Sequence, residues 1–472
     1  MAGPFFAWDC REFVDESTKG LRPGVECDRI SQAPNGARNG RECMNTKVVD
    51  TFGKLVASAG ENHPAAAQKL LLTGWRVQDY FFRHKPDPRL SPSAVALAHV
   101  LMDAMCYPLQ RAAQTAVVSI FTPCELLHTL GLHPYNPESF SCYLSASHAE
   151  AAYIDRTEAD GIPETFCSYH KIFVGAAEQR VMPRPQCIIS TNLACDANQL
   201  TFRHLAQLYG VPHFVIDVPA TPDEDSVAYV AGQLRRLGTF LEEVTGKPVD
   251  EEALKAALRR SRATLDDLAA AQEARAGKLI LRDIVTPMYE FACVNILLGT
   301  PAVQNYARQV RREAETAPAG AGVPLFWLHT IPYWMDSVKA VLGLNPAAQI
   351  VGTDMLTASF VDFDPEQPYE AMARRMVYNA MNGPVERRIG LGLDWARRSG
   401  AQGAVWFNHW GCKHTLGGAQ LAKKKFEAAG MPLLILDGDG VDRSRGGEGQ
   451  TATRLEAFLE MLREDGAQGG DQ

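Results

Sequence analysis

Seven short apolar runs, each bounded by turn-forming residues, constrain the fold of this chain more than any other feature. They are TAVVSIFTP (115–123), QCIIST (186–191), PHFVIDVP (212–219), VPLFWLHTI (323–331), AQIVGT (348–353), GAVWFNH (403–409) and MPLLILDGD (431–439). Rich in β-branched residues and short, they predict buried strands. Helix-prone segments separate them, which is the grammar of parallel α/β units. A chain of 472 residues is long enough for several cores. The fold class expected is therefore α/β, with two Rossmann/flavodoxin-like parallel-sheet domains.

The pattern divides the chain into an N-terminal extension and helical region (1–112), a first α/β domain (113–235), a helical connector (236–320) and a second α/β domain (321–472). Residues 1 to about 50 are polar and predict an irregular extension carrying Cys10, Cys27 and Cys43, which hold an additional metal or nothing. HPAAAQKLLLTGWRVQDYFF and SPSAVALAHVLMDAM follow with helical spacing. DEEALKAALRRSRATLDDLAAAQEAR is the clearest amphipathic stretch of the connector.

The two α/β regions resemble each other. Cys195-Asp196 opens the segment NQLTFRHLAQLYG, which ends at Gly210 and passes through Val211-Pro212 into HFVIDV. Cys412-Lys413 precedes LGGAQLAKKKFEAAG, which ends at Gly430 and passes through Met431-Pro432 into LLILDGD. Strand, cysteine, helix, Gly-x-Pro, strand is the order in both, as expected of an internal duplication or of shared α/β grammar.

Charge excludes some functions. A net charge of −8 is wrong for a nucleic-acid or anionic-membrane binder, which needs a basic footprint. Arg374-Arg375 and Lys423-Lys424-Lys425 are expected on solvated helix faces. The start MAGPFFAWDCRE carries an acidic residue where an export signal is basic, and no run of about 18 apolar residues follows, so a cytoplasmic location is expected. LGGAQ (416–420) lacks the residues of a P-loop or dinucleotide fingerprint. DGDGVD (437–442) looks like a calcium loop but has no distal glutamate at the required spacing, and predicts a strand-end turn.

Eleven cysteines without an export signal predict reduced thiols. Cys187 and Cys293 sit in apolar runs and are expected in the core. Cys167, Cys195 and Cys412 fall at predicted helix starts, the last two just past strand carboxyl ends, where open α/β sheets gather ligands. The positive end of a helix dipole favours a thiolate or an anionic thiolate-bound cluster. Position alone leaves these three open as core residues or as ligands. With no CxxC pair and no local run of four cysteines, spacing selects neither zinc nor a ferredoxin-type cluster. Three thiolates are one fewer than the usual four of an iron–sulfur cluster, and leave an iron open to substrate.

The terminal run HWGCKHTLGGAQLAKKKFEAAGMPLLILDGDGVDRSRGGEGQTATRLEAFLEML resembles the end of subunits of the 2-hydroxyacyl-CoA dehydratase and benzoyl-CoA reductase family. FTPCELLHTLGLHPY, FCSYHKIFVG and ACDANQ resemble further segments of that family in the same order, so the likeness runs from about residue 115 to the end. It implies a [4Fe-4S] cluster held by Cys167, Cys195 and Cys412 between two α/β domains. It also implies a heterodimer with a homologous second subunit, an acyl-CoA substrate and a separate ATP-hydrolysing iron–sulfur activator that injects one electron. In that family a ketyl radical anion expels hydroxyl and loses a β-proton to give an enoyl-CoA.

Glu125 matches the family's glutamate near the active site and is the candidate proton acceptor; it is equally explained as a first-turn carboxylate favoured by the helix dipole. His409 is a candidate to bond a ligand or the thioester, or a satisfied structural residue. Cys124 and Cys142 are extra, and would enlarge the cluster if they lined the same cavity. Two other functions fit the same motifs: a benzoyl-CoA-type reductase subunit, and a non-catalytic electron-relay subunit.

Overall fold

In the computed structural model, which describes residues 40–469 apart from Ala321, the strands form two four-stranded parallel sheets. The first contains β1 (Thr115–Val118), β2 (His133–Tyr135), β3 (Cys187–Thr191) and β4 (His213–Ile216), in the order β2-β1-β3-β4. The second contains β5 (Val323–Leu328), β6 (Ala348–Thr353), β7 (Gly403–His409) and β8 (Leu433–Gly438), in the order β6-β5-β7-β8. The winding is the same in both, as an internal duplication requires. In each sheet the chain reverses direction between the first and third strands, and that reversal opens a crevice at their carboxyl ends.

The strands read as continuous apolar runs because helices cover both faces. Every residue of β1, β3, β6 and β7 is buried. One core runs from Leu71 and Trp75 in the N-terminal helices, through Val117 and Ile188, to Val405 and Leu436 in the second sheet. A smaller cluster, with Phe326, Trp406 and Phe426, lies on the other face of that sheet.

Two elements depart from the sequence expectation. β2 is a three-residue edge strand, HPY, whose central proline is tolerated because it lies at the sheet edge; so short a run carries no periodic signal. Gly40–Asn62 is a helix, although the chain was expected to be irregular to about residue 50. Val49 and Val56, two turns apart, are buried, and that packing outweighs the polar composition. Cys10, Cys27 and the side chain of Cys43 lie outside the described residues.

The long helix Glu224–Thr245 passes without a break through residue 235, where the first α/β domain was expected to end. It packs on Pro368–Val377 of the second half, through Arg235–Glu370 at 2.5 Å and Arg374–Glu224 at 2.6 Å. Both pairs are solvent-exposed and contribute little. The buried counterpart is different. Glu290 accepts from Tyr306 at 2.8 Å and meets Arg282 at 2.7 Å and Arg275 at 3.5 Å, tying the end of the connector helix Glu251–Ala274 to the helices Val285–Cys293 and Pro301–Thr316. Burial works to raise the Glu290 pKa, but the two guanidinium groups outweigh it and hold the carboxyl below its ordinary value. Removing this charge leaves two buried cations uncompensated. Glu290→Gln is expected to lower unfolding free energy by about 3–5 kcal/mol, measured by denaturant titration.

Candidate functional site

Four described helices begin on a cysteine: fully buried Cys124 caps Glu125–Leu130, and three others are partly accessible. Cys167 caps Ser168–Glu178, Cys195 caps Asp196–Tyr209, and Cys412 caps Lys413–Leu416. The residue before each of the latter two is left-handed, Ala194 at φ 64° and Gly411 at φ 82°, which turns the chain sharply out of β3 or β7. The two halves thus share a local device as well as a winding. Gly411 lies directly on the Cys167 turn: a Cβ there would stand 2.7 Å from the Cys167 nitrogen and 2.8 Å from its Cα. That close approach sets a cysteine of the second half against one of the first.

Among the described cysteines, Cys106, Cys124, Cys142, Cys187 and Cys293 are buried, whereas Cys167, Cys195 and Cys412 are partly accessible. Cys187 and Cys293 are core residues, as expected. Cys124 donates to the Thr122 carbonyl at 3.2 Å, and Cys142 lies against Tyr289 and Tyr333. Both of these thiols are fully enclosed.

Burial, reinforced by the nearby Cys195 and Cys412, pushes the Cys167 thiol well above its ordinary pKa. Burial, Glu138 and Cys412 push Cys195 up to about 12. Opposing them are first-turn backbone amides: that of His170 at Cys167, and those of Asn198 and Ala197 at Cys195. Thiols so placed are protonated at neutral pH and are poor nucleophiles. A metal centre displaces thiol protons outright, and here it would find amide dipoles already aimed at the sulfurs. Among the described residues the three sulfurs are not grouped within the reach of a single metal ion.

His409 completes this group. The Gly440 amide donates to its Nδ1 at 3.1 Å, so the proton sits on Nε2, which donates to Cys167 Sγ at 3.3 Å. Burial lowers its pKa, keeping the ring neutral. Beneath it Asp439 accepts from Ser168 Oγ at 2.6 Å and from the Val441 and Asp442 amides at 2.9 and 2.8 Å. DGDGVD is therefore a strand-end turn that anchors the Cys167 helix. At Cys195 the neighbour is His170, whose Nδ1 donates to Thr201 Oγ1 at 2.9 Å, that hydroxyl's own proton going to Ala197 O. Its Nε2 faces Cys195 Sγ at 3.6 Å as an acceptor.

Glu125 is held away from this group. Its Oε1 accepts from Ser261 Oγ at 2.7 Å and from Arg375 Nη2 at 2.5 Å, while its buried Oε2 has no partner among the described residues. Arg375, expected on a solvated face, is buried. On the helix Pro368–Val377 it shares an inward face with Met372 and Met376, and Glu125 neutralises it. Arg375, Met372 and Met376, with Phe121 and Leu193, line a small cavity of about 20 Å³, room for about one water.

Three functional candidates escaped the sequence. His329, just past β5, is left-handed at φ 78°, a costly state for a residue with a Cβ. Its amide donates to Asp354 at 2.6 Å, its buried Nδ1 has no hydrogen-bond partner among the described residues, and its ring centre is 6.4 Å from that of His409. Glu138, bonded by the Asn136 amide at 2.6 Å, is pushed up to about 7 by burial and lies close enough to Cys195 to influence it. Arg388 joins Asp354 at 2.6 Å to His414 at 2.9 Å, two residues past Cys412. The one available signal was position at a strand's carboxyl end, which pointed to His329.

Asp79, His99 and Asp103 also lie close enough to share a metal ion. Arg83 meets Asp79 at 2.8 Å and Arg76 meets Asp103 at 2.6 Å, so these carboxylates lace the helices Pro64–His84 and Pro92–Arg111 together as ion pairs.

The Gly411 contact yields a pair of opposite expectations. Gly411→Ala adds left-handed strain and a clash with backbone, and is expected to lower unfolding free energy by about 2 kcal/mol or more. Ala194→Gly relieves strain at the equivalent turn and should change it by less than about 1 kcal/mol. Denaturant titration of the two variants side by side checks both.

Comparison with known proteins places the chain in a family. The chain is 23% identical over 363 residues to the (R)-phenyllactyl-CoA dehydratase alpha subunit of Clostridium sporogenes, covering 72% of this chain and 87% of that protein. It is 22% identical over 377 residues to the lactoyl-CoA dehydratase subunit alpha of Anaerotignum propionicum, covering 72% and 88%. The family model for 2-hydroxyglutaryl-CoA dehydratase, D-component, matches residues 119–462, a span that takes in both sheets from the end of β1 onward and Cys167, Cys195 and Cys412, and the chain belongs to that family.

Proposed function

We propose that this chain is the iron–sulfur subunit of a 2-hydroxyacyl-CoA dehydratase, with a [4Fe-4S] cluster held by Cys167, Cys195 and Cys412. The observation that carries this is that three partly accessible, helix-capping cysteines lie close enough for Cys195 and Cys412 to act on Cys167 electrostatically, three sulfurs being one fewer than a fully ligated cluster uses. When bound, such a cluster supplies one-electron chemistry and an iron with an open position.

The chain's own residues have distinct tasks. His409, fixed by Gly440, steadies Cys167 through its Nε2 proton. Glu125 offers Oε2 as the acceptor for the substrate's β-proton, its carboxylate oriented by Ser261 and Arg375 through Oε1. A homologous second subunit and an ATP-hydrolysing activator complete the enzyme; the relatives' designation as alpha subunits supports the first, and the lack of a P-loop motif in the sequence supports the second. No helix among the described residues is long and apolar enough to cross a membrane, in keeping with a cytoplasmic enzyme.

Iron and sulfide counting after anaerobic purification tests the ligand set. Cys412→Ala is expected to lose the cluster while Cys187→Ala, altered in the core of β3, keeps it. Full iron content in Cys412→Ala refutes the assignment.

A further inference from the structure

We infer that His329 is a binding residue for the 2-hydroxyl group of the substrate, donating a hydrogen bond to that oxygen from Nε2; this rests on the function proposed above. His329 is the first residue after β5, at the carboxyl end of the sheet where β5 and β7 lie side by side. That end, at the reversal of winding, is where open α/β sheets gather ligands. Its ring centre is 6.4 Å from that of His409, whose Nε2 bonds Cys167 Sγ at 3.3 Å. Arg388 and His414 also lie near enough to act on it electrostatically, and His414 is two residues past Cys412. The ring therefore adjoins neighbours of both Cys167 and Cys412.

Two features set His329 apart from a histidine that merely fills the core. The first is its backbone, at φ 78°, a left-handed state that strains a residue with a Cβ and that glycine adopts freely. Asp354 holds the amide there at 2.6 Å, and Arg388 Nε donates to the same carboxylate at 2.8 Å. Glycine would make that amide contact equally well, so the strain is kept for the sake of the imidazole. The second is that no described residue hydrogen-bonds either ring nitrogen. By contrast His128, His133, His170, His213, His409 and His414 each have a ring nitrogen bonded within the protein. A polar ring enclosed without partners is costly, and a ligand that supplies one offsets the cost. A proton on the enclosed Nδ1 would be a donor with no acceptor, so it belongs on Nε2. Burial and Arg388 keep the ring uncharged. A neutral N–H suits an oxygen that gains negative charge as its bond to carbon breaks, because the hydrogen bond strengthens as that charge grows. Glu125 is assigned the β-proton, which leaves the departing oxygen as the reacting group still without a donor.

Without activator and ATP no electron is injected, so a 2-hydroxyacyl-CoA binds without reacting and affinity is read apart from turnover. The probes are the thioesters that name the two relatives, each with its deoxy counterpart: lactoyl-CoA with propionyl-CoA, and phenyllactyl-CoA with 3-phenylpropanoyl-CoA. They are titrated calorimetrically into the anaerobically isolated protein with its co-purifying partner. In the pair that binds more tightly, the hydroxylated thioester is expected to bind the wild-type protein at least about tenfold tighter than its counterpart. In His329→Gly that ratio should fall to about twofold or less, with iron content unchanged. If the glycine variant fails to fold, His329→Asn takes its place with the same expectation. Asparagine tolerates the left-handed backbone, and its amide nitrogen stops short of the position of Nε2. A ratio retained in the folded variant, or absent from the wild-type protein, overturns the role of His329 while leaving an acyl-CoA site in place. Binding of none of the four thioesters to the wild-type protein overturns that role and the dehydratase assignment together.

Discussion

The contact on which the site depends is the one between Gly411 and the backbone of Cys167. A missing Cβ lets the turn after β7 lie against the start of the helix Ser168–Glu178. Without it, Cys412 would be held off from the first half by at least the width of a methyl group. Asp439 fixes the same junction from beneath by taking the Ser168 hydroxyl, and Trp334 Nε1 donates to the Asp439 carbonyl at 3.1 Å. The second half thus grips the Cys167 helix at its first residue, where the sulfur emerges.

The shared strand order of the two sheets accounts for the form of the donors. Each sheet reverses its winding between its first and third strands, and the third strand of each ends in a left-handed residue, a cysteine and a helix. A helix start presents unpaired amides, so sulfur placed there meets a partial positive charge. Two copies facing one another supply two such sulfurs. The third comes from Cys167, which lies outside the repeated unit, on a helix before β3.

Charge around the site is arranged in closed pairs. Glu125 matches Arg375, Asp354 matches Arg388, and Glu290 matches Arg282 and Arg275. His409 and His329 are kept neutral by burial. Charged groups left open inside would be costly, so those present are either matched or, like Glu138, driven toward the protonated form.

The sequence by itself determined the parallel α/β class, the strands long enough to show a continuous apolar run, and the three cysteines at helix starts. These are local properties, set by residue type and by the residues that end each element. It did not reveal β2, which is too short for periodicity, or the helical character of Gly40–Asn62, which rests on burial of Val49 and Val56. Arg375 looked solvated because Arg374 beside it is; only the packing of Met372 and Met376 turned it inward toward Glu125, 250 positions away. Tertiary structure likewise decided the tautomer of His409, the anchoring role of Asp439 and the strain at His329. Each depends on a partner brought in from a distant part of the chain, and no spacing within one segment encodes such a partner.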